Sequence, residues 1–408
     1  MNSEIRTETV LPAESATERM PLELLASQFV DEHRRWLNPS VDDYADAYPE
    51  YAEIIRESFP VLIAMEQWKG NQEFSNLRQQ LPDPSRIKQL GDCHIIREIS
   101  RSRTSILCEA VQGKFNRRVL VKLLPWKSEM TPRWQERFER EARLVSRLRH
   151  PNIVSFYKTG KDQGYCYSVM QLVNGIGLDQ IIRLLATENE QQPPGTNRHQ
   201  IEPARHVQTQ AILRSLQKHT WRTFAGIGLQ AAKALSYAHN RGTLHNDIKP
   251  ENILIDGEGQ TWVNNFSLAQ VAEGARQQQA VKTLCYQSPE RITGEQHKQS
   301  DVYSLGMVLY ELATRTPAFQ SNSSSALVDQ ITNQEPLRPR ELNSNMPADF
   351  EIIILNCIAK SRQQRYQSAE ALSLDLVRFI NGRNVKRRTN SHSMFNKLWF
   401  PLWKRKPA

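Results

Sequence analysis

Three side chains in HNDIKPENILI, residues 245–255, have the types and spacing needed for phosphoryl transfer to a hydroxyl. A carboxylate, Asp247, can accept the hydroxyl proton. A lysine two residues on, Lys249, can offset phosphate charge. An amide oxygen five residues on, Asn252, can bind a metal. Such chemistry asks for positioned charge more than for covalent steps. The remaining sequence must therefore supply a scaffold that holds these groups and a cleft for a phosphate donor.

The scaffold is readable in outline. From about Cys93, CHIIREI, SILCEAV and RRVLVKLL are short, β-branched, alternating runs that predict an antiparallel sheet. Thr131-Pro132 opens a helix with Phe138, Ala142, Val145 and Leu148 on one face. YCYSVMQLV reads as a further strand. Residues 187–210, rich in Gln, Pro, Asn and Thr, read as an insert, and from Trp221 to about Phe379 the pattern is mostly helical. Ahead of the sheet, residues 1–20 are polar and patternless and read as disordered. Residues 21–80 read as a small helical segment, with Leu22, Leu25, Phe29 and Trp36 at helical spacing. Within it Ser40 and Asp43 resemble a capping box, and Pro49 stands before a helix with Ile54, Ile55 and Phe59 apolar. QQLPDPSR marks a linker, taken as residues 81–92, and residues 384–408 form a basic, aromatic tail.

The order of these parts resembles the eukaryotic-like serine/threonine protein kinases of bacteria, over roughly residues 93–383. VLVK with Lys122, EARLVSRLRHPNIV with Glu141, the catalytic loop, NFS, SPE and DVYSLGMVLYELAT follow one another as in that family. The resemblance implies an α+β, two-lobed protein-kinase fold: a small antiparallel-sheet N-lobe with one helix over a larger helical C-lobe. It implies ATP and Mg2+ as cofactors. Lys122 would pair with the α/β-phosphates and with Glu141. Met170 falls at the gatekeeper position, and Gln171 to Val173 form the hinge that meets adenine. Glu290 would pair with Arg365, and Asp301 would brace the catalytic loop backbone. The N-terminal helical segment resembles one found before the kinase domain in some bacterial members, and is read as a small helical cap.

Five departures from the family pattern bear on activity. The glycine-rich nucleotide loop has Ser100, Ser102 and Ser105, ending at Leu107, where glycine lets backbone amides approach phosphate. The alanine over adenine is Leu120, whose extra bulk in a close-packed contact costs about 1–3 kcal/mol if nothing repacks. The metal-binding aspartate of DFG is Asn265, a neutral ligand where magnesium prefers a hard anionic oxygen; losing one preorganised charge costs about 10²–10³ in rate. The HRD arginine that receives a phosphorylated activation loop is Asn246, and no Ser, Thr or Tyr lies between Ser267 and Thr283. Lys282 replaces the glycine that opens the substrate-facing loop, with Thr283 retained.

Charge and composition narrow the partners. The formal net charge is +9, but residues 1–80 hold 15 acids against 7 bases, and residues 383–408 hold 8 bases and no acid. That distribution, with no aromatic–basic groove in the body, argues against nucleic-acid binding. The tail MFNKLWFPLWKRK suits an anionic membrane interface, the alternative being a disordered basic end. With 39% apolar residues there is enough for a core, and no run of eighteen apolar residues predicts a membrane span. MNSEIRTETV is not a secretory signal, and five scattered cysteines fit a reducing compartment. The expectation is a cytoplasmic protein, attached peripherally to the inner face of the membrane if the tail engages lipid. Functionally it is a kinase-family protein acting in signalling as a pseudokinase or very weak kinase that binds a protein partner or substrate. The alternative is an active ATP-dependent Ser/Thr kinase not controlled by activation-loop phosphorylation.

Overall fold

A computed structural model of the chain describes residues 22–34, 39–62, 86–101, 105–125, 139–140, 142–187, 212, 220–266, 281–321 and 323–385. The chain divides into two compact units, residues 1–66 and 67–408. Glu141, Ser102, Trp36, the start of the helix at Thr131-Pro132, nearly all of the 187–210 insert, Ser267 and most of the tail lie outside the described residues, as does the 1–20 head.

The first unit is a small helical cluster: α1 (Leu22–Arg34), α2 (Val41–Ala47), a 3₁₀ turn (Pro49–Tyr51) and α3 (52–62). Ser40 caps α2, its hydroxyl oxygen accepting from the Asp43 amide at 3.2 Å. Pro49 opens the 3₁₀ turn, as a residue without an amide hydrogen can at a helix start. Leu25, Phe29, Ala45, Ile55 and Phe59 form the core, with the Phe29 and Phe59 rings 4.5 Å apart. Ile54, expected with the apolar face, is instead 48% exposed, because Ile55 and Phe59 at i, i+4 take the inward side.

In the second unit, six antiparallel strands form the N-lobe sheet in the order β1-β2-β3-β4-β6-β5. These are β1 (Gln89–Leu90), β2 (Cys93–Arg101), β3 (Ile106–Gln112), β4 (Arg117–Pro125), β5 (Phe156–Asp162) and β6 (Tyr165–Gln171). Period-two alternation divides β4 between two environments. Val119, Val121 and Leu123 enter one core with Cys108, Ala110 and Val169. Leu120, Lys122 and Leu124 take the opposite face. Register places Leu107 opposite Lys122 and Leu120 opposite Met170, so these four side chains share that face. Leu124, Cys166 and Phe156 continue into the large C-lobe core, together with Ala142 and Val145 of helix α4, described at 139–140 and 142–146.

The helical lobe follows. A three-stranded sheet, β7 (Gly175–Gly177), β8 (Ile253–Asp256) and β9 (Thr261–Val263), lies near its start in sequence order β7-β8-β9. Its helices are α5 (Leu178–Thr187), α6 (Thr220–His239), α7 (Val281–Leu284), α8 (Pro289–Ile292), α9 (Lys298–Thr314), α10 (Ser324–Asn333), α11 (Pro339–Leu342), α12 (Ala348–Ile358) and α13 (Ala369–Ile380). Helix α9 is buried on nearly every side from Ser300 to Ala313. Gly306 allows its closest approach: a methyl group there would stand 2.3 Å from Cβ of Cys357 on α12. Among the described residues no helix is long and apolar enough to cross a membrane. All five cysteines are buried and free.

Candidate active site

The catalytic-loop residues are held by a buried carboxylate beneath them. Asp301, in the first turn of α9 and 1% exposed, accepts the amides of His245 and Asn246, each at 2.8 Å. His239, the last residue of α6, places Nε2 2.8 Å from the same carboxylate. Burial alone would push the Asp301 carboxyl up. The hydrogen bond and charge of His239 and the loop amides outweigh that and hold it below the usual range.

His245 is a neutral ring by geometry. Its Nδ1 accepts the Asp247 amide at 3.2 Å, so the proton sits on Nε2, which faces the Asn264 carbonyl at 2.8 Å. Burial depresses its pKa in the same sense. Phe266 packs on this ring, centroids 4.5 Å apart, and lines one small cavity with Val145, Phe156, Met170 and Lys122. The cavity is about 20 Å³, room for about one water molecule.

Asp247, Lys249, Asn252 and Asn265 come together. Lys249 Nζ lies 2.9 Å from Asp247 Oδ2. Asn252 Nδ2 donates to the same oxygen at 2.8 Å and to the Asp247 carbonyl at 2.7 Å. Asn265 Nδ2 donates to Asn252 Oδ1 at 2.8 Å. The direction of this relay follows from chemistry: an ionised carboxylate only accepts, so Asn252 turns its NH2 to Asp247 and its oxygen to Asn265. One of the two lone pairs of the oxygen expected to meet a metal thereby accepts an amide hydrogen. An aspartate at 265 would face that oxygen with a second acceptor, an arrangement that calls for a cation between them. With asparagine the need disappears. These donors do not fit a resident magnesium ion, which prefers hard anionic oxygens.

Leu107, Leu120, Lys122 and Met170 lie on the cleft-facing side of the sheet, as their register requires. Gln171 and Val173 are half-buried at the exit from β6. The Gln171 amide donates to the Ser155 carbonyl at 2.8 Å, and its side-chain oxygen accepts the Ser155 amide at 3.2 Å, which ties the hinge to the segment before β5. The expected framework pair is present: Arg365 grips Glu290 with two bonds of 2.7 and 2.9 Å. Sequence reasoning missed His239, Asn264 and Arg291. Each acts through a contact distant in sequence, and no periodicity marks it.

The protein kinase domain family pattern matches residues 94–377. This chain belongs to the protein kinase family. It is 32% identical to the serine/threonine-protein kinase PknB of Mycobacterium tuberculosis over 279 residues, covering 66% of this chain and 40% of that protein. PknB of Mycobacterium leprae is 29% identical over 315 residues, covering 75% of this chain and 43% of that protein. The probable serine/threonine-protein kinase SCO3848 of Streptomyces coelicolor is 30% identical over 297 residues, covering 70% and 40%. The chain thus spans about two fifths of the length of these relatives. A crystal structure of the Mycobacterium tuberculosis PknI kinase domain superposes with a TM-score of 0.52 at 18% identity, covering 74% of this chain and all of that one. The sheet lobe and helical lobe are those of the kinase fold.

Proposed function

We propose that this kinase-family chain acts in signalling by binding protein partners, and transfers phosphate very slowly or not at all. The observation that carries this reading is the relay Asn265–Asn252–Asp247, closed by hydrogen bonds and charge-balanced by Lys249 without a metal. Leu120 over the cleft and serines at 100 and 105 in place of the family's glycines act in the same direction. Any nucleotide would meet Lys122, Leu107, Leu120, Met170, Gln171 and Val173, while Asn252 and Asn265, at the family's metal positions, offer Mg2+ only neutral donors. Thermal melting with ATP, with and without millimolar magnesium, tests the reading. Magnesium should add no stabilisation to the wild-type chain. A magnesium-dependent rise in melting temperature would count against it.

A second reading, a slow Ser/Thr kinase independent of loop phosphorylation, is favoured by one observation. Asp247 and Lys249 stand 2.9 Å apart on a loop braced by Asp301, with Phe266 packed on His245. The magnesium experiment separates the two readings.

The tail adds a location. Eight basic residues in 383–408, with Trp399, Phe400 and Trp403 among them, would attract anionic lipid at about 1 kcal/mol per basic residue near the surface. Insertion of the aromatic rings would add to that, giving reversible attachment of a cytoplasmic protein. The full chain should sediment with anionic liposomes at low salt and be released at high salt, whereas a chain truncated after Gly382 should stay in the supernatant. Equal behaviour of the two chains would show that the tail does not engage lipid.

A further inference from the structure

The arginine missing from the catalytic loop has a counterpart elsewhere. Asn246 occupies that position with a left-handed backbone, φ 64°. Its polar groups are all engaged: the amide by Asp301, the side-chain NH2 by Gln296 Oε1 at 3.0 Å, and the carbonyl by NH1 of Arg291. The same NH1 lies 3.5 Å from Asn246 Oδ1. Arg291 belongs to α8 and follows Glu290, which is locked to the fully buried Arg365. The neighbouring ion pair therefore fixes the backbone from which this guanidinium projects. Its charge interacts with the carboxylates of Asp301, Asp247 and Glu290.

We infer that Arg291 is a positioning residue that clamps the catalytic loop permanently to the segment following the activation loop. A contact that would otherwise wait on a phosphate is replaced by a fixed cation. The chain has exchanged a switch for a strut. This holds whether or not it transfers phosphate, because it concerns where Asp247 is held.

Hydrogen exchange of the His245, Asn246 and Asp247 amides in the full chain reads the clamp directly, since all three amides bond within this network. Arg291→Gln should raise their exchange rates about tenfold, a local opening and not a global one. Asn246→Arg alone should also raise them, by setting two guanidinium groups against each other. The double variant Asn246→Arg/Arg291→Gln should exchange more slowly than either single variant, because the charge has been moved and not removed. Arg291→Lys, which keeps the charge and loses the fork, should fall between wild type and Arg291→Gln. It serves as the test should Arg291→Gln fail to fold. Arg338→Gln, which breaks a separate ion pair to Glu351, is the control and should leave the three amides unchanged. Phosphatase treatment of the wild-type chain should also leave them unchanged. Wild-type exchange rates in both Arg291 variants, a double variant no better than the singles, or an equal effect from Arg338→Gln would each overturn the clamp.

Discussion

Phosphate transfer from Mg-ATP by the wild-type chain is expected to be at least about 10²–10³-fold slower than by a kinase with aspartate at the position of Asn265. The loss of one anionic ligand is compounded by the relay, in which the Asn265 amide donates to the oxygen of Asn252. Asn265→Asp should break that relay, because two acceptor oxygens would then face each other. The variant should melt lower than wild type without magnesium and recover stability when magnesium is added. It should regain little transfer, because Leu120 and the serines of the nucleotide loop remain. The decisive measurement is radiolabel incorporation by wild type, Asn265→Asp and Asp247→Asn. Robust wild-type autophosphorylation lost in Asp247→Asn would refute the expectation.

Arg365→Ala should cost about 3–5 kcal/mol of stability, the range for breaking a buried pair by removing one partner. Arg365 has no exposed surface, and besides gripping Glu290 it donates to the carbonyls of Ala359 at 2.6 Å and Lys360 at 2.8 Å. Alanine would leave Glu290 and those carbonyls without their donor. The Glu290→Gln/Arg365→Met pair should lose less, because no uncompensated charge is left inside. The pair also predicts a pH dependence. Burial would push the Glu290 carboxyl up, but the hydrogen bonds and charge of Arg365, with the Ser300 hydroxyl, outweigh it and hold the pKa at about 2, against 4.5 for the free group. A depressed folded-state pKa contributes stability above the unfolded value and loses it as pH falls through the folded one. The stability gap between wild type and Glu290→Gln should therefore be full above pH 4.5, shrink below it and be gone near pH 2. Urea melts across that range check the slope. A gap independent of pH would show that Glu290 is not held as an ionised partner.

Local pattern carried much of this structure. The alternating runs at CHIIREI, SILCEAV and RRVLVKLL became β2, β3 and β4, and YCYSVMQLV became β6, which is buried on both faces. The motif order identified the family, since the spacing of Asp247, Lys249 and Asn252 is set by a short stretch of backbone. Strand β5, FYKTGKD, was not legible: with two aromatic residues among polar ones, it is a strand only because β6 pairs with it. Ile54 and Ile55 could not be ranked by hydrophobicity alone. Two of the departures have a meaning that only the fold reveals. Asn246 and Asn265 sit at φ 64° and 62°, a region asparagine tolerates better than most residues; both give up charge, and at 246 asparagine in place of arginine also eases backbone strain. The sequence by itself determined most strands of the N-lobe, the family and the residue types in the cleft. The tertiary structure alone decided that Asn265 closes on Asn252, that His239 backs the Asp301 carboxylate, and that Arg291 meets Asn246 from 45 residues away. Periodicity encodes what a segment buries. A directional hydrogen bond between distant segments exists only once packing has brought both ends to the same place.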